Sequence, residues 1–135
     1  MERRVFLGLT AAALTFPVMG QAAIHYKPGL VKELLAEGKT VIVDFTTEWC
    51  PTCAAQKRTI SALRGQNSAY DDNLVFVTVD FDIYGNQDSS NELKIPRRST
   101  IVALHGDQEL ARIVAGTAPA QIQKLLDAAL AAATA

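Results

Sequence analysis

The two cysteines of this 135-residue chain stand two residues apart, in Trp49-Cys50-Pro51-Thr52-Cys53, directly after the run Val41-Ile42-Val43-Asp44-Phe45. A disulfide closed over two intervening residues removes little entropy from the unfolded chain, so the pair is a poor staple and its value is chemical. With Cys50 at the junction between a strand and a helix starting near Pro51, the first free amides of that helix point at its sulfur. The helix dipole favours negative charge there. Proline suits the first helical position, where its missing N–H removes a donor that would have had no partner. Such a setting lowers a thiol pKa from about 8.5 into roughly the 3.5–7.5 range. Cys50 is then the group that attacks a disulfide, and Cys53, one turn on and more enclosed, resolves the mixed disulfide.

A CxxC pair is also half of a zinc site, but structural zinc takes four ligands. The only histidines, His25 and His105, have no ligand spacing to the pair, so a closed structural zinc site is not expected. Asp44 is the one carboxyl group within its apolar strand. Desolvation there raises its pKa, which suits a base that takes a proton near pH 7. The alternative is a solvated side chain at a strand end.

These residues need a scaffold, and the chain has the apolar content for one compact core: 49% of it is hydrophobic. The formal net charge of −1 and the absence of a basic run exclude an electrostatic footprint for nucleic acid. Residues 1–22 read as an export signal: Arg3 and Arg4, then an apolar stretch from Val5 to Val18 broken by Pro17, then small residues, with cleavage near Ala22 or Ala23. Arg3-Arg4-Val5-Phe6-Leu7 also resembles a twin-arginine signal, although Glu2 stands in place of the usual polar residue before the arginines, which leaves ordinary Sec export as the alternative. The stretch falls short of the roughly 20 apolar residues of a spanning helix. Export implies the periplasm, where a dithiol stays reduced only if electrons are supplied.

Residues 23–135 form the expected domain. Leu30, Val31, Leu34 and Leu35 give a helix over Gly29 to Glu37, and Thr40 to Phe45 a buried central strand. A helix follows from Pro51 to about Leu63, with Ile60 and Leu63 inward and Gln56, Lys57, Arg58 and Arg64 outward. Leu74 to Phe81 is a strand, Asp82 to Gln87 a loop, and Ser90 to Lys94 a short helix. Thr100 to Leu104, a Gly106-Asp107 turn and Leu110 to Val114 make a hairpin. Thr117 caps a last helix from Pro119 to about Leu130, and the tail from Ala131 frays. This order gives an α/β fold, a central mixed β-sheet flanked by helices on both faces.

The order of elements and the stretch from Val43 to Cys53, an aspartate-bearing strand running into Trp-Cys-x-x-Cys, resemble the thioredoxin family over essentially the whole of residues 23–135. The resemblance implies a thioredoxin-like fold in which Trp49 flanks the disulfide, Pro51 and Thr52 complete the active-site loop, Cys50 is the nucleophile and Cys53 resolves. Asp44 would exchange a proton with Cys53. The family also carries a cis proline facing the disulfide, and here two registers compete: Pro96, in Ile95-Pro96, and Ser99, which the spacing to Gly106-Asp107 favours. With Ser99 in place, the Arg98–Ser99 peptide is expected to be trans, because a non-proline cis bond costs about 2.5–4 kcal/mol. The Ser99 hydroxyl would contact a thiolate or a bound peptide, and Arg97 and Arg98 would favour acidic partners.

The expected function is an exported thiol–disulfide oxidoreductase, a reductase or electron relay in preference to an oxidant, acting on protein disulfides as a monomer. No cofactor is needed, and no nicotinamide or flavin fingerprint occurs, so a membrane thiol relay is the expected electron donor. The alternative is a module that binds Cu(I) or an iron–sulfur cluster through the CxxC pair, made credible by the missing proline, which in the family is held to keep metals off the thiols.

Overall fold

A computed structural model describes residues 23–135; residues 1–22, the expected export signal, lie outside the described residues. The chain runs β1 (Ile24–His25), α1 (Leu30–Ala36), β2 (Thr40–Thr46), α2 (Pro51–Gln66), α3 (Ser68–Asn73), β3 (Leu74–Asp80), α4 (Phe81–Tyr84), α5 (Asp88–Glu92), β4 (Thr100–His105), β5 (Gln108–Val114) and α6 (Pro119–Ala133). The sheet order is β1-β3-β2-β4-β5, parallel across β1, β3 and β2 and antiparallel across β4 and β5. β2 is therefore central, which is why all seven of its residues are buried.

Alternation along β2 divides the core. Ile42 faces α2, α3 and α6 together with Ile60, Leu63, Tyr70, Ile122 and Leu126. Val41, Val43 and Phe45 face the other way, toward Leu30 and Val31 of α1, with Phe81 and Tyr84 of α4 against the same cluster. Helices thus cover both faces, as a mainly parallel sheet requires. Asp44 shares the parity of Ile42 and so points toward the α2 side.

Four local expectations are corrected. Phe81–Tyr84 is a short helix rather than a strand end running into a loop, because the Asp80 side chain accepts from the Asp82 amide and caps it. Ala118, not Thr117, is the N-cap of α6, and Pro119 at the first helical position sets where it starts. That helix continues to Ala133, since alanine is the best helix former and nothing in Ala131–Ala133 stops it. Gln56 is fully buried rather than outward.

Candidate active site

β2 ends at Thr46 and the chain re-enters as α2 at Pro51, which places Cys50 in extended conformation as the N-cap. Its sulfur takes the position a capping oxygen usually holds, accepting from the Cys53 amide at 3.2 Å. Both cysteines are free thiols and buried, Cys53 completely. Pro51 occupies the first helical position and Thr52 is half-buried in the first turn.

Opposite the sulfurs stands Ser99, just before β4; Pro96 lies on the exposed side of the preceding loop. Because β4 is antiparallel to β2, its beginning meets the end of β2. The Ser99 hydroxyl lies 3.2 Å from the Cys50 sulfur and 3.0 Å from the Cys53 sulfur. A hydroxyl has one proton and two lone pairs, so it can donate to a Cys50 thiolate while accepting from the Cys53 thiol. The Arg98–Ser99 peptide is trans.

Ser99 has φ 62°, the left-handed region that costs a residue with a side chain roughly 1–2 kcal/mol. Its surroundings hold it there. The Ser99 amide donates to Phe45 O at 2.8 Å, and Ser99 O accepts from the Ala115 amide at 2.8 Å; Ala115 itself has φ 61°. Gln56, from the second turn of α2, donates through Nε2 to both Ser99 O and Gly116 O at 2.9 Å each. One buried amide therefore ties α2 to both strained segments. Sequence reasoning placed Gln56 on the outer face because it is polar. The signal that finds it is the spacing Cys53, Gln56, Ile60, Leu63, which is the buried stripe of α2.

Electrostatics follow from this geometry. Burial pushes the Cys50 thiol up, but hydrogen bonds from the Cys53 thiol, the Ser99 hydroxyl, the Cys53 amide and Arg98 outweigh it and bring the pKa down to about 6. Asp44 is pushed up to about 7, chiefly by desolvation; Lys57 opposes this and the Cys50 charge adds to it. Asp44 Oδ1 is buried without a hydrogen-bond partner, at the wall of a cleft of about 420 Å³ that Lys57, Ser61 and Thr78 also line. The solvated-aspartate alternative is not what the fold builds. At the rim, Trp49 is 60% exposed, donates through Nε1 to Asp82 Oδ2 at 2.8 Å, and carries the Arg98 guanidinium 4.2 Å above its ring. Arg97 turns back, its Nε donating to Arg98 O at 3.0 Å.

Known proteins share this fold. The thioredoxin family model matches residues 23–128. Among solved structures, Trxlp of Edwardsiella tarda is 26% identical, covering 76% of this chain and 98% of its own, with a TM-score of 0.65. Malassezia sympodialis thioredoxin is 20% identical with a TM-score of 0.67, covering 82% and 96%. Mitochondrial thioredoxin 3 of Saccharomyces cerevisiae is 21% identical with a TM-score of 0.64, covering 78% and 93%. A search of curated protein sequences finds no match. With a redox-capable Cys50–Cys53 pair at the head of α2 and the family model matching nearly all of the described domain, the chain belongs to the thioredoxin family and is a thiol–disulfide oxidoreductase.

Proposed function

We propose that the protein is an exported reductase or electron relay for protein disulfides, working through Cys50 and Cys53. The observation that carries the reading is the Cys50 sulfur at the α2 N-cap, held by the Cys53 amide and the Ser99 hydroxyl with a thiolate pKa of about 6. At neutral pH that thiolate attacks one sulfur of a substrate disulfide; the S–S bond breaks, a mixed disulfide forms on Cys50 and one substrate thiolate leaves. Cys53 gives its proton to the Asp44 carboxylate, then attacks the Cys50 sulfur and releases the second substrate thiolate. Two electrons have passed to the substrate and the protein holds the Cys50–Cys53 disulfide. With a pKa of about 7, Asp44 takes a proton at neutral pH and gives it up again.

Support for export comes from residues 1–22, which combine paired arginines, an apolar stretch and a small-residue cleavage site near Ala22 or Ala23. In the periplasm the disulfide form must be reloaded by a dithiol, for which a membrane thiol relay is the fitting class of donor. Support for the reductive direction comes from the residues between the cysteines, Pro51 and Thr52, which include no histidine to stabilise the thiolate further; the Arg98 and Ser99 contacts to Cys50 act in the opposite sense.

Reduction of insulin disulfides by the pre-reduced protein, combined with redox equilibration against glutathione, tests both halves. A reductase is expected to reduce insulin through Cys50 and to have a potential near about −270 mV; a value in the roughly −180 to −230 mV range of protein disulfide isomerase and glutaredoxins overturns the direction. Failure to reduce any disulfide, with one Cu(I) bound per chain instead, overturns the function in favour of metal binding.

A further inference from the structure

The Arg98 side chain is held in a way that thiolate activation alone does not require. Its guanidinium lies 4.2 Å above the exposed Trp49 ring, beside Cys50, while its Nε is buried without a hydrogen-bond partner. Among the described residues, the only carboxylate bonded in this cluster is that of Asp82, which accepts from the Trp49 indole. Arg97 contributes differently: its Nε is spent on Arg98 O, which fixes the backbone carrying the second arginine. Stacking on an aromatic face orients the guanidinium but takes up none of its N–H groups; among the described residues the Cys50 sulfur is the one anion they serve in the reduced protein, and their fork matches a carboxylate bidentately.

We infer that Arg98, stacked on Trp49, is an anion site for a carboxylate on the substrate next to its cystine, so that the preferred substrates are peptide disulfides with Asp or Glu beside the reacting cysteine. This rests on the exchange function proposed above. The reaction itself supplies the reason for such a site. Before attack, Arg98 faces the Cys50 thiolate. When Cys50 bonds to the substrate sulfur, the negative charge leaves with the substrate thiolate, Cys50 becomes neutral, and the guanidinium loses its anion in a half-buried place. A substrate carboxylate within reach of the same N–H groups restores the charge pairing in the mixed disulfide and in the transition state leading to it. Trp49 and Ile83, the residue after Asp82, are both exposed and offer apolar surface near the residues that the Trp49–Asp82 bond joins. The substrate is thus gripped by one charge and by apolar contact.

The test uses two disulfide peptides that differ only in Glu or Gln next to the cysteine, each mixed with pre-reduced protein in single-turnover experiments. The quantity read is the ratio of the two attack rates, because the fraction of Cys50 present as thiolate cancels from it. The expected ratio is about five- to tenfold in favour of Glu, the effect of one charge-assisted contact. In Arg98→Met, which keeps most of the stem and drops the charge, the ratio is expected to fall to about one. In the unaltered protein it is expected to shrink as salt is raised from 0.05 to 0.5 M (about 14 and 4 Å screening lengths), a measurement that stands even if the variant folds poorly. A ratio of one in the unaltered protein, or a ratio that Arg98→Met leaves intact, overturns the anion site. Reduction of neither peptide overturns instead the exchange function on which it rests.

Discussion

Replacing Ser99 with alanine isolates one contact. The Ser99 amide and carbonyl bonds are main-chain and survive, and φ 62° is no worse for alanine than for serine, so what is lost is the hydroxyl 3.2 Å from Cys50 and 3.0 Å from Cys53. A hydrogen bond to a charged group contributes about 1.5–3 kcal/mol, which corresponds to roughly 1–2 pKa units. The Cys50 pKa of about 6 should then rise to about 7–8. The consequence for rate depends on pH. At pH 7 the thiolate fraction falls from about nine-tenths to between about one-half and one-tenth, but each added pKa unit makes the remaining thiolate about threefold more nucleophilic, so the net attack rate changes by less than about twofold. At pH 5 thiolate loss dominates, and attack should slow about three- to tenfold. Thiolate absorbance at 240 nm gives the midpoint, and stopped-flow reaction with a peptide disulfide gives the rates. A midpoint that stays near 6, or equal slowing at both pH values, refutes the role of the hydroxyl.

Asp44→Asn should slow release of a mixed disulfide from Cys50 while leaving the first attack intact, as read by quenched-flow mass spectrometry. The same change should remove a pH slope from stability. Because the folded-state pKa is raised from the ordinary carboxyl value to about 7, protonated Asp44 stabilises the fold fully below pH about 4, and that contribution, about 4 kcal/mol, is lost as pH rises to about 7. Urea unfolding at pH 4 to 6, below the range where ionisation of Cys50, with its pKa lowered to about 6, adds a slope of opposite sign, should show this fall in the native protein and not in the variant. Gln56→Leu removes the donor shared by Ser99 O and Gly116 O, so it should cost about 1–3 kcal/mol and raise the Cys50 midpoint; in a Ser99→Ala background the midpoint should not move further. Ser99→Pro should unfold readily, because proline cannot adopt φ 62° and lacks the N–H bonded to Phe45 O; the cost is about 3 kcal/mol or more, measured as a lowered urea midpoint.

Much of the site was legible because its determinants are local. A β-branched strand, a Pro at a helix start and a cysteine between them dictate a sulfur at an N-cap, and the structure has that arrangement. The lone acid in β2 was legible for the same reason: in a strand buried on both faces, its carboxyl must be buried too. What escaped depends on partners distant in sequence. β1 is two residues long and exists only through its register with Val77 and Thr78. Gln56 looked like a surface residue because its two acceptors lie 43 and 60 residues away, in loops whose left-handed geometry no propensity reveals. The Trp49–Arg98 stack likewise joins residues that only the β2–β4 pairing brings together.

The central claim is that Cys50 attacks a disulfide and Cys53 resolves the product. It is tested most directly by mixing reduced Cys53→Ser protein with a peptide disulfide and mapping the adduct by mass spectrometry. The expected result is a stable one-to-one mixed disulfide on Cys50 with one equivalent of peptide thiol released, and no such product from Cys50→Ser. Failure of Cys53→Ser to form an adduct, or adduct formation at Cys53 in the Cys50→Ser protein at a comparable rate, would contradict it.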